Sequence, residues 1–191
     1  MGHFPSKSTQ KTRGEAAQSK STQMVRGKPV EDVQYTRATK KRSGLAPVSL
    51  ADYASIFHSS PAVRVGLIRD GVPAAEVKRL QERLDMPQAA FLQSMKLSTA
   101  TLNRKVGRQE NLSPEDSERV IGMAKLIGQV QEMVRQSGEP KGFDPAKWLA
   151  GWLQQTVPAL GGSRPIDFMD TMEGQGMIAD LLARMQSGAY A

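Results

Sequence analysis

The sequence predicts an all-α protein preceded by a charged tail. Apolar residues recur at three- and four-residue spacing from residue 48 onward, and no alternating β-rich run exceeds a few residues. Capping residues, first-turn prolines and terminating glycines bracket these apolar stretches. The first 46 residues differ, because their Ser, Thr, Gln, Lys and Arg cannot bury enough apolar surface to offset chain entropy. We therefore expect a disordered tail followed by a helical domain.

Five short helices are predicted in the first half of the helical part. A serine caps three of them. The other two helices open with a proline, whose missing N–H is tolerated at a helix start. Their predicted extents and opening residues are 49–57 (Ser49), 61–71 (Ser60), 73–84 (Pro73), 87–95 (Pro87) and 98–106 (Ser98).

The second half is predicted to begin with the longest helix, from Ser113 to Gly138, which we expect to be the spine of the domain. Its start combines a cap, a first-turn proline and two acids at the positive end of the helix dipole. Asp144 caps the next helix, residues 157–162 break it, and residues 165–169 form a short helical turn. A capping pattern at 170–173 then begins a last helix that Gly188 ends.

Composition excludes several kinds of chemistry. The chain has no cysteine and only two histidines, His3 and His58, so thiol nucleophiles and zinc–thiolate sites are absent. No apolar run reaches the roughly 18 residues of a membrane span, and the Ser/Lys/Arg-rich start lacks the apolar region typical of a secretory signal. Phosphate-binding glycine loops and nucleophile-elbow motifs are also missing. We expect a cytoplasmic protein without catalytic activity, cofactor, metal or membrane.

The positive charge is confined to the tail. Residues 1–46 carry ten Lys and Arg against three acids, whereas residues 47–191 carry sixteen of each sign. Two interpretations of the tail remain open. It either keeps the chain soluble or acts as a polycationic arm that binds phosphates without sequence preference.

Residues 88–106 have the spacing of a helix-turn-helix, with Lys96-Leu97-Ser98 between two short helices. Leu102 would hold the second helix against the first, which predicts that the outward positions contact bases and that nearby cations contact phosphates. Arg104 suits guanine, Asn103 adenine and Thr99 either base. The predicted DNA-binding residues are Lys96, Ser98, Thr99, Ala100, Asn103, Arg104, Lys105 and Arg108.

Helix pairs of this kind also occur in proteins that never bind DNA, so both interpretations stay open. Lys96 occupies the position where a turn glycine is usual, which would cost on the order of 1 kcal/mol in a left-handed conformation. Trp148 and Trp152 lie four residues apart, and core packing is expected for them, with a partner surface as the alternative. Core packing is also expected for the methionines on the predicted helices.

In their order along the chain, three stretches resemble the Xre-type antitoxins of the MbcA/ParS/Xre family. They are VGLIRDGVPAAEVKRLQERLDMP, KLSTATLNRKVGRQENLSPEDSERVIGMAKLI and AKWLAGWLQQTVPALGGSRPIDFMDTMEGQGMIADLLARMQSGAYA. The last stretch is the most specific, because a set of separated positions follows the spacing of the family. These positions are Trp148-Leu149, Leu160-Gly161-Gly162, Pro165, Thr171, Gly174 and Gly188.

The resemblance implies a dimeric helical antitoxin whose N-terminal helix-turn-helix part represses its own operon. It implies that the C-terminal part binds a toxin encoded by the neighbouring gene, commonly a RES-domain enzyme that consumes NAD or a related transferase. The C-terminal end would enter the toxin's active-site cleft. The toxin-binding residues so implied are Arg184, Met185, Gly188, Ala189, Tyr190 and Ala191.

The resemblance also sets the expected domain division. Residues 1–46 are the tail, 47–138 the DNA-binding and dimerisation region, and 139–191 the toxin-binding region. The alternative functions are a transcriptional regulator without a toxin partner and a scaffold for chromosome segregation or polar targeting. An enzyme comes third, because no convergent set of polar residues is found.

Overall fold

The computed structural model describes residues 49–138 and 141–188. The predicted tail, and the predicted toxin-binding residues Ala189, Tyr190 and Ala191, lie outside the described residues. The described part consists of α-helices and two short 3-10 turns and contains no strand; a single antiparallel bridge joins Pro73 and Asn111. The all-α prediction is therefore confirmed. Among the described helices, none combines the length and the apolar character that a membrane span requires.

The helices follow the predicted order. They are α1 (Tyr53–His58), α2 (Pro61–Asp70), α3 (Ala74–Leu84), α4 (Gln88–Ser94), α5 (Thr99–Gly107), α6 (Pro114–Gln136), α7 (Pro145–Leu153) and α8 (Met172–Gln186). The 3-10 turns, Pro158–Leu160 and Pro165–Phe168, lie between α7 and α8.

Side-chain caps confirm four of the predicted helix starts. The hydroxyls of Ser60, Ser98 and Ser113 and the carboxylate of Asp144 each accept a bond from a first-turn backbone N–H. The predicted cap of the first helix, Ser49, is wrong.

Asp52 caps α1 instead of Ser49. Its carboxylate accepts bonds from the backbone N of Ser55 at 3.0 Å and from the Ser55 hydroxyl at 2.6 Å. The Ser49 hydroxyl accepts a bond from the backbone N of Ala51, three residues too early to cap this helix. A carboxylate can accept both bonds at once, which explains why the helix begins after Asp52.

Helix α6 is the spine of the domain, as predicted, because α1, α2, α7 and α8 all pack against it. Most of its residues between Ser117 and Val130 are buried, including positions on opposite sides of the helix. A helix buried on several sides belongs to the centre of a domain and not to its surface.

Two glycines of α6 let neighbouring helices approach closely. A Cβ atom at Gly128 would overlap the backbone carbonyl of Tyr53 in α1, and one at Gly122 would overlap the side-chain amide of Gln175 in α8. Gly128 therefore requires the absence of a side chain, because it faces backbone, whereas a side chain at Gly122 would displace the Gln175 amide.

Candidate functional site

Helices α4 and α5 form the predicted helix-turn-helix. In the turn, the backbone N of Leu97 donates to the carbonyl of Leu92 at 2.8 Å. Phe91, Leu92, Leu97 and Leu102 are all buried in the core, as the sequence predicts, and α5 packs against α3. These contacts fix the orientation of α5 relative to the rest of the domain.

Lys96 adopts the left-handed conformation that a glycine would ordinarily supply in this turn. Its φ is +48°. The Lys96 ammonium lies 2.5 Å from a carboxylate oxygen of Asp170, two residues before α8. The hydrogen bond from Lys96 lowers the pKa of Asp170 below its usual range. An ion pair thus joins the turn of the helix-turn-helix to the C-terminal part of the chain.

The outer face of α5 carries the residues predicted to contact bases. Thr99, Ala100, Asn103 and Arg104 share one side of the helix and are exposed, as is the capping Ser98. Among the described residues, Arg104 forms no ion pair. The face is therefore accessible to a ligand, and its side chains can both donate and accept hydrogen bonds.

The two remaining predicted cations differ in their surroundings. The Lys105 ammonium donates to the backbone carbonyl of Asn111 at 2.7 Å, and its side chain is only 20% exposed. The Arg108 side chain is 65% exposed and lies 3.9 Å from Glu110. Lys105 therefore holds the loop after α5 in place, while Arg104 and Arg108 present their guanidinium groups to solvent.

The C-terminal part contains the aromatic pair. The rings of Trp148 and Trp152 stack with centroids 6.1 Å apart, and Phe143 lies 6.2 Å from Trp148. Trp152 is buried and Trp148 is half-buried. Core packing, the expected role, is thus confirmed for Trp152, while one side of Trp148 remains accessible.

Three of the six residues implied by the family resemblance to bind a toxin are described. Arg184 is exposed on α8, Met185 is half-buried against the core, and Gly188 follows the helix with a φ of +70°. These three residues lie close together in the chain at the C-terminal end of α8.

Two methionines of α8 contradict the expectation of core packing. Met172 and Met177 are 43% and 44% exposed, whereas Met169 is fully buried. The helical period carries the signal that was missed for Met177, because this residue falls on the same face as Glu173 and Asp180.

Comparison with known proteins gives two family matches that together span most of the described helices. Residues 63–125 match the antitoxin Xre-like helix-turn-helix domain, and residues 143–188 match the antitoxin Xre/MbcA/ParS C-terminal toxin-binding domain. A protein of Sphingobium sp. (strain YBL2) named "Prs ADP-ribosylating antitoxin" is 48% identical over 139 residues, which cover 73% of this chain and 87% of that relative.

The chain belongs to the Xre/MbcA/ParS antitoxin family. A more distant relative, named "Antitoxin Xre", comes from Yersinia enterocolitica serotype O:8 / biotype 1B (strain NCTC 13174 / 8081). It is 22% identical over 156 residues, which cover 82% of this chain and 96% of that relative.

In this antitoxin, ion pairs link the two matched regions. Lys96 and Asp170 form one pair, and Lys147 of α7 lies 3.2 Å from Asp85, which follows α3. The first and last residues of the helix-turn-helix match lie in α2 and α6, and the toxin-binding match contains α7 and α8. Because α6 packs against α7 and α8 as well as α2, the described helices form one packed unit.

Proposed function

We propose that this antitoxin neutralises an NAD-consuming toxin of the RES type, encoded by the neighbouring gene, by filling the toxin's cofactor cleft. The observation that carries the proposal is the toxin-binding match, which contains all of α8 and ends at Gly188. The Sphingobium relative has ADP-ribosylation in its name, and ADP-ribosyl transfer takes its group from NAD. A cleft for a phosphorylated cofactor is expected to be basic.

The proposed contact residues are Gly188, Ala189, Tyr190 and Ala191, with Arg184 and Met185 at the rim of the cleft. On this mechanism the antitoxin has no catalytic activity, because occupation of the cleft is sufficient for inhibition. It acts in the cytoplasm, where the toxin is made.

Growth rescue tests this proposal. The neighbouring gene's product is induced in a bacterial host, alone, with the full chain, and with a chain that ends at Ser187. We expect growth arrest, relief by the full chain, and no relief by the shortened chain. If the chain that ends at Ser187 still protects the cells, the proposed contact residues at the C-terminal end are wrong. If the neighbouring product never slows growth, the alternative of a DNA-binding regulator without a toxin takes precedence.

The second part of the proposal is repression of the antitoxin's own operon. The exposed face of α5 supports it, since a recognition helix must present polar side chains that the core does not use. A dimer would place two such helices about one DNA turn apart over an inverted repeat. Helix α2 offers a surface for dimerisation, because Val65 is exposed and Val63 is only half-buried, while Leu67 and Ile68 pack against the core.

Operator binding tests the DNA-binding residues. Arg104→Ala should weaken binding to the promoter duplex by roughly 1–3 kcal/mol and relax specificity at one base position. Lys141→Ala is the matched control, because Lys141 is an exposed cation in the loop before α7. Equal losses in the two variants would indicate a non-specific charge effect instead of base recognition.

The basic tail enters the proposal as a non-specific arm for phosphates. Removal of residues 1–46 should weaken binding to all duplexes and flatten the dependence of affinity on salt. An unchanged salt slope would leave the tail with a solubilising or protease-sensitive role.

A further inference from the structure

The inner face of α8 is fixed to the rest of the domain. Ile178, Leu181 and Leu182 are buried, and the side-chain amide of Gln175 donates to the carbonyls of Arg119 and Met169 at 3.1 and 2.9 Å. These contacts determine which side of the helix faces solvent, so the outer face has a defined composition.

Gly176 lies at the middle of that outer face. A Cβ atom built there would meet nothing within 4 Å, in contrast to Gly174, where it would overlap the carbonyl of Phe168. Glycine is unfavourable inside a helix because it loses more conformational freedom than alanine does. Packing within the described residues therefore requires the glycine at position 174 and gives no reason for the one at position 176.

The residues around Gly176 are apolar or acidic. Met172 and Met177 are two of the three large apolar side chains that are exposed in the described part of the chain. Glu173 and Asp180 are also exposed, and neither has an ion-pair partner among the described residues. The helical period places Glu173, Gly176, Met177 and Asp180 on one side of α8.

We propose that this outer face, defined by Met172, Glu173, Gly176, Met177 and Asp180, is a docking surface for the rim of the toxin's cleft. The inference rests on the proposed function. All five residues lie within the toxin-binding match, and the face continues along α8 to Arg184, at the proposed cleft contact.

Charge and shape support the same partner. A rim that attracts the pyrophosphate of NAD carries cations, and the unpaired carboxylates of Glu173 and Asp180 complement them. The missing side chain at Gly176 permits close approach of the partner's backbone, and the two methionines supply deformable apolar contacts on either side. The toxin is thus held along the helix as well as at its end.

Substitution of Gly176 tests the proposal against a matched position. Gly151 of α7 is also an exposed helical glycine whose Cβ would meet nothing within 4 Å. We expect Gly176→Arg to weaken binding of the purified toxin by about 30-fold or more, because a large side chain at the centre of the interface holds the two surfaces apart. Gly151→Arg should bind like the unchanged antitoxin. Equal binding by the two arginine variants would overturn the proposal.

A smaller substitution at Gly176 distinguishes an effect on toxin docking from an effect on the stability of the fold. Gly176→Ala should raise the melting temperature of the antitoxin, because alanine favours the helix, and yet weaken toxin binding several-fold. A structural role for this position would move both quantities in the same direction. Gly151→Ala should raise the melting temperature without loss of toxin binding.

The growth assay distinguishes failure of this inference from failure of the proposed function. Protection by Gly176→Arg, together with loss of protection by the chain that ends at Ser187, would reject the docking face and leave the terminal contact in place. Absence of toxin binding by the full unchanged chain would reject both.

Discussion

Gly128 of α6 lies directly against the backbone of α1. A Cβ atom there would overlap the backbone carbonyl oxygen of Tyr53 and would lie 2.8 Å from the Cβ of Phe57. Backbone cannot move aside as the end of a flexible side chain can, so α1 and α6 approach this closely only with glycine there.

At this scale we predict opposite effects for two glycine-to-alanine changes. Gly128→Ala should lower the free energy of unfolding by about 2 kcal/mol or more, because α1 must shift away from α6. Gly151→Ala should raise it by about 0.5–1 kcal/mol, because position 151 is open and alanine favours the helix. Urea denaturation measures both. A stabilised Gly128→Ala variant would contradict the packing of α1 described above.

Glu132 is the acidic residue of α6 whose pKa is clearly lowered by its surroundings. Hydrogen bonds from Arg135 and Gln136 lower the pKa of Glu132 from 4.5 to about 2. The same carboxylate lies 3.4 Å from His58, the last residue of α1.

A lowered pKa in the folded state predicts an acid-sensitive contribution to stability. The ionised Glu132 contributes fully to the free energy of unfolding above pH 4.5. This contribution is lost as the pH falls toward about 2, because protonation weakens the hydrogen bonds from Arg135 and Gln136. As the pH falls from 4.5 to about 2, the free energy of unfolding of Glu132→Gln should therefore decrease less than that of the unchanged chain. Glu173→Gln, at an exposed acid without an ion pair, is the control and should follow the unchanged chain. If the free energy of unfolding of Glu132→Gln decreases with pH in parallel with that of the unchanged chain, the prediction is wrong.

Among the elements, α8 depends on a buried amide for its position. Gln175 donates to two backbone carbonyls, one at the end of the second 3-10 turn and one in α6. Helix α8 and the turn before it are therefore held together by a polar side chain within an apolar core. The sequence did not predict this role, because glutamine in a helix ordinarily lies in solvent.

We expect Gln175→Leu to lower the free energy of unfolding by about 1–3 kcal/mol, since the buried bond to the Met169 carbonyl is lost. Gln154→Leu is the matched control. Gln154 donates to the carbonyl of Ala150 at 2.9 Å from an exposed position, so a change of less than about 0.5 kcal/mol is expected. Chemical denaturation of both variants gives the comparison.

Most helix boundaries could be predicted because their determinants are local. Ser60, Ser98 and Ser113 cap helices where the sequence places them, and prolines precede or open α2, α3 and α4. The first helix was misplaced because Asp52 and Ser49 compete as caps, and spacing alone does not rank them. The exposure of Met172 depends on how the start of α8 packs, whereas the helical period places Met177 on the face of Glu173 and Asp180.

For the whole molecule, the ion pair between Lys96 and Asp170 connects the proposed DNA-binding and toxin-binding regions. Lys96 is a predicted phosphate contact, and its ammonium is bonded to Asp170 in the structure. Binding to DNA through Lys96 must therefore compete with this carboxylate.

We predict that Asp170→Asn releases Lys96 for a phosphate and steepens the salt dependence of DNA binding. The slope of log K against log salt should become more negative by about 0.9, the value for one added phosphate contact. The double variant with Lys96→Gln should lose this increase. Asp85→Asn, which releases Lys147 instead, is the control and should leave the slope unchanged. Fluorescence anisotropy with the promoter duplex measures all four proteins, and identical slopes would contradict the prediction.

The sequence by itself determined the helical class, the order of the helices, the helix-turn-helix and the family. These features rest on caps, spacing and short ordered motifs, which act over a few residues. The tertiary structure alone decided that Lys96 is paired with Asp170, that Lys105 bonds Asn111, and that a Cβ atom has room at Gly176 but not at Gly174. Those outcomes depend on which helix faces meet across the core, and packing between residues distant in sequence sets that arrangement.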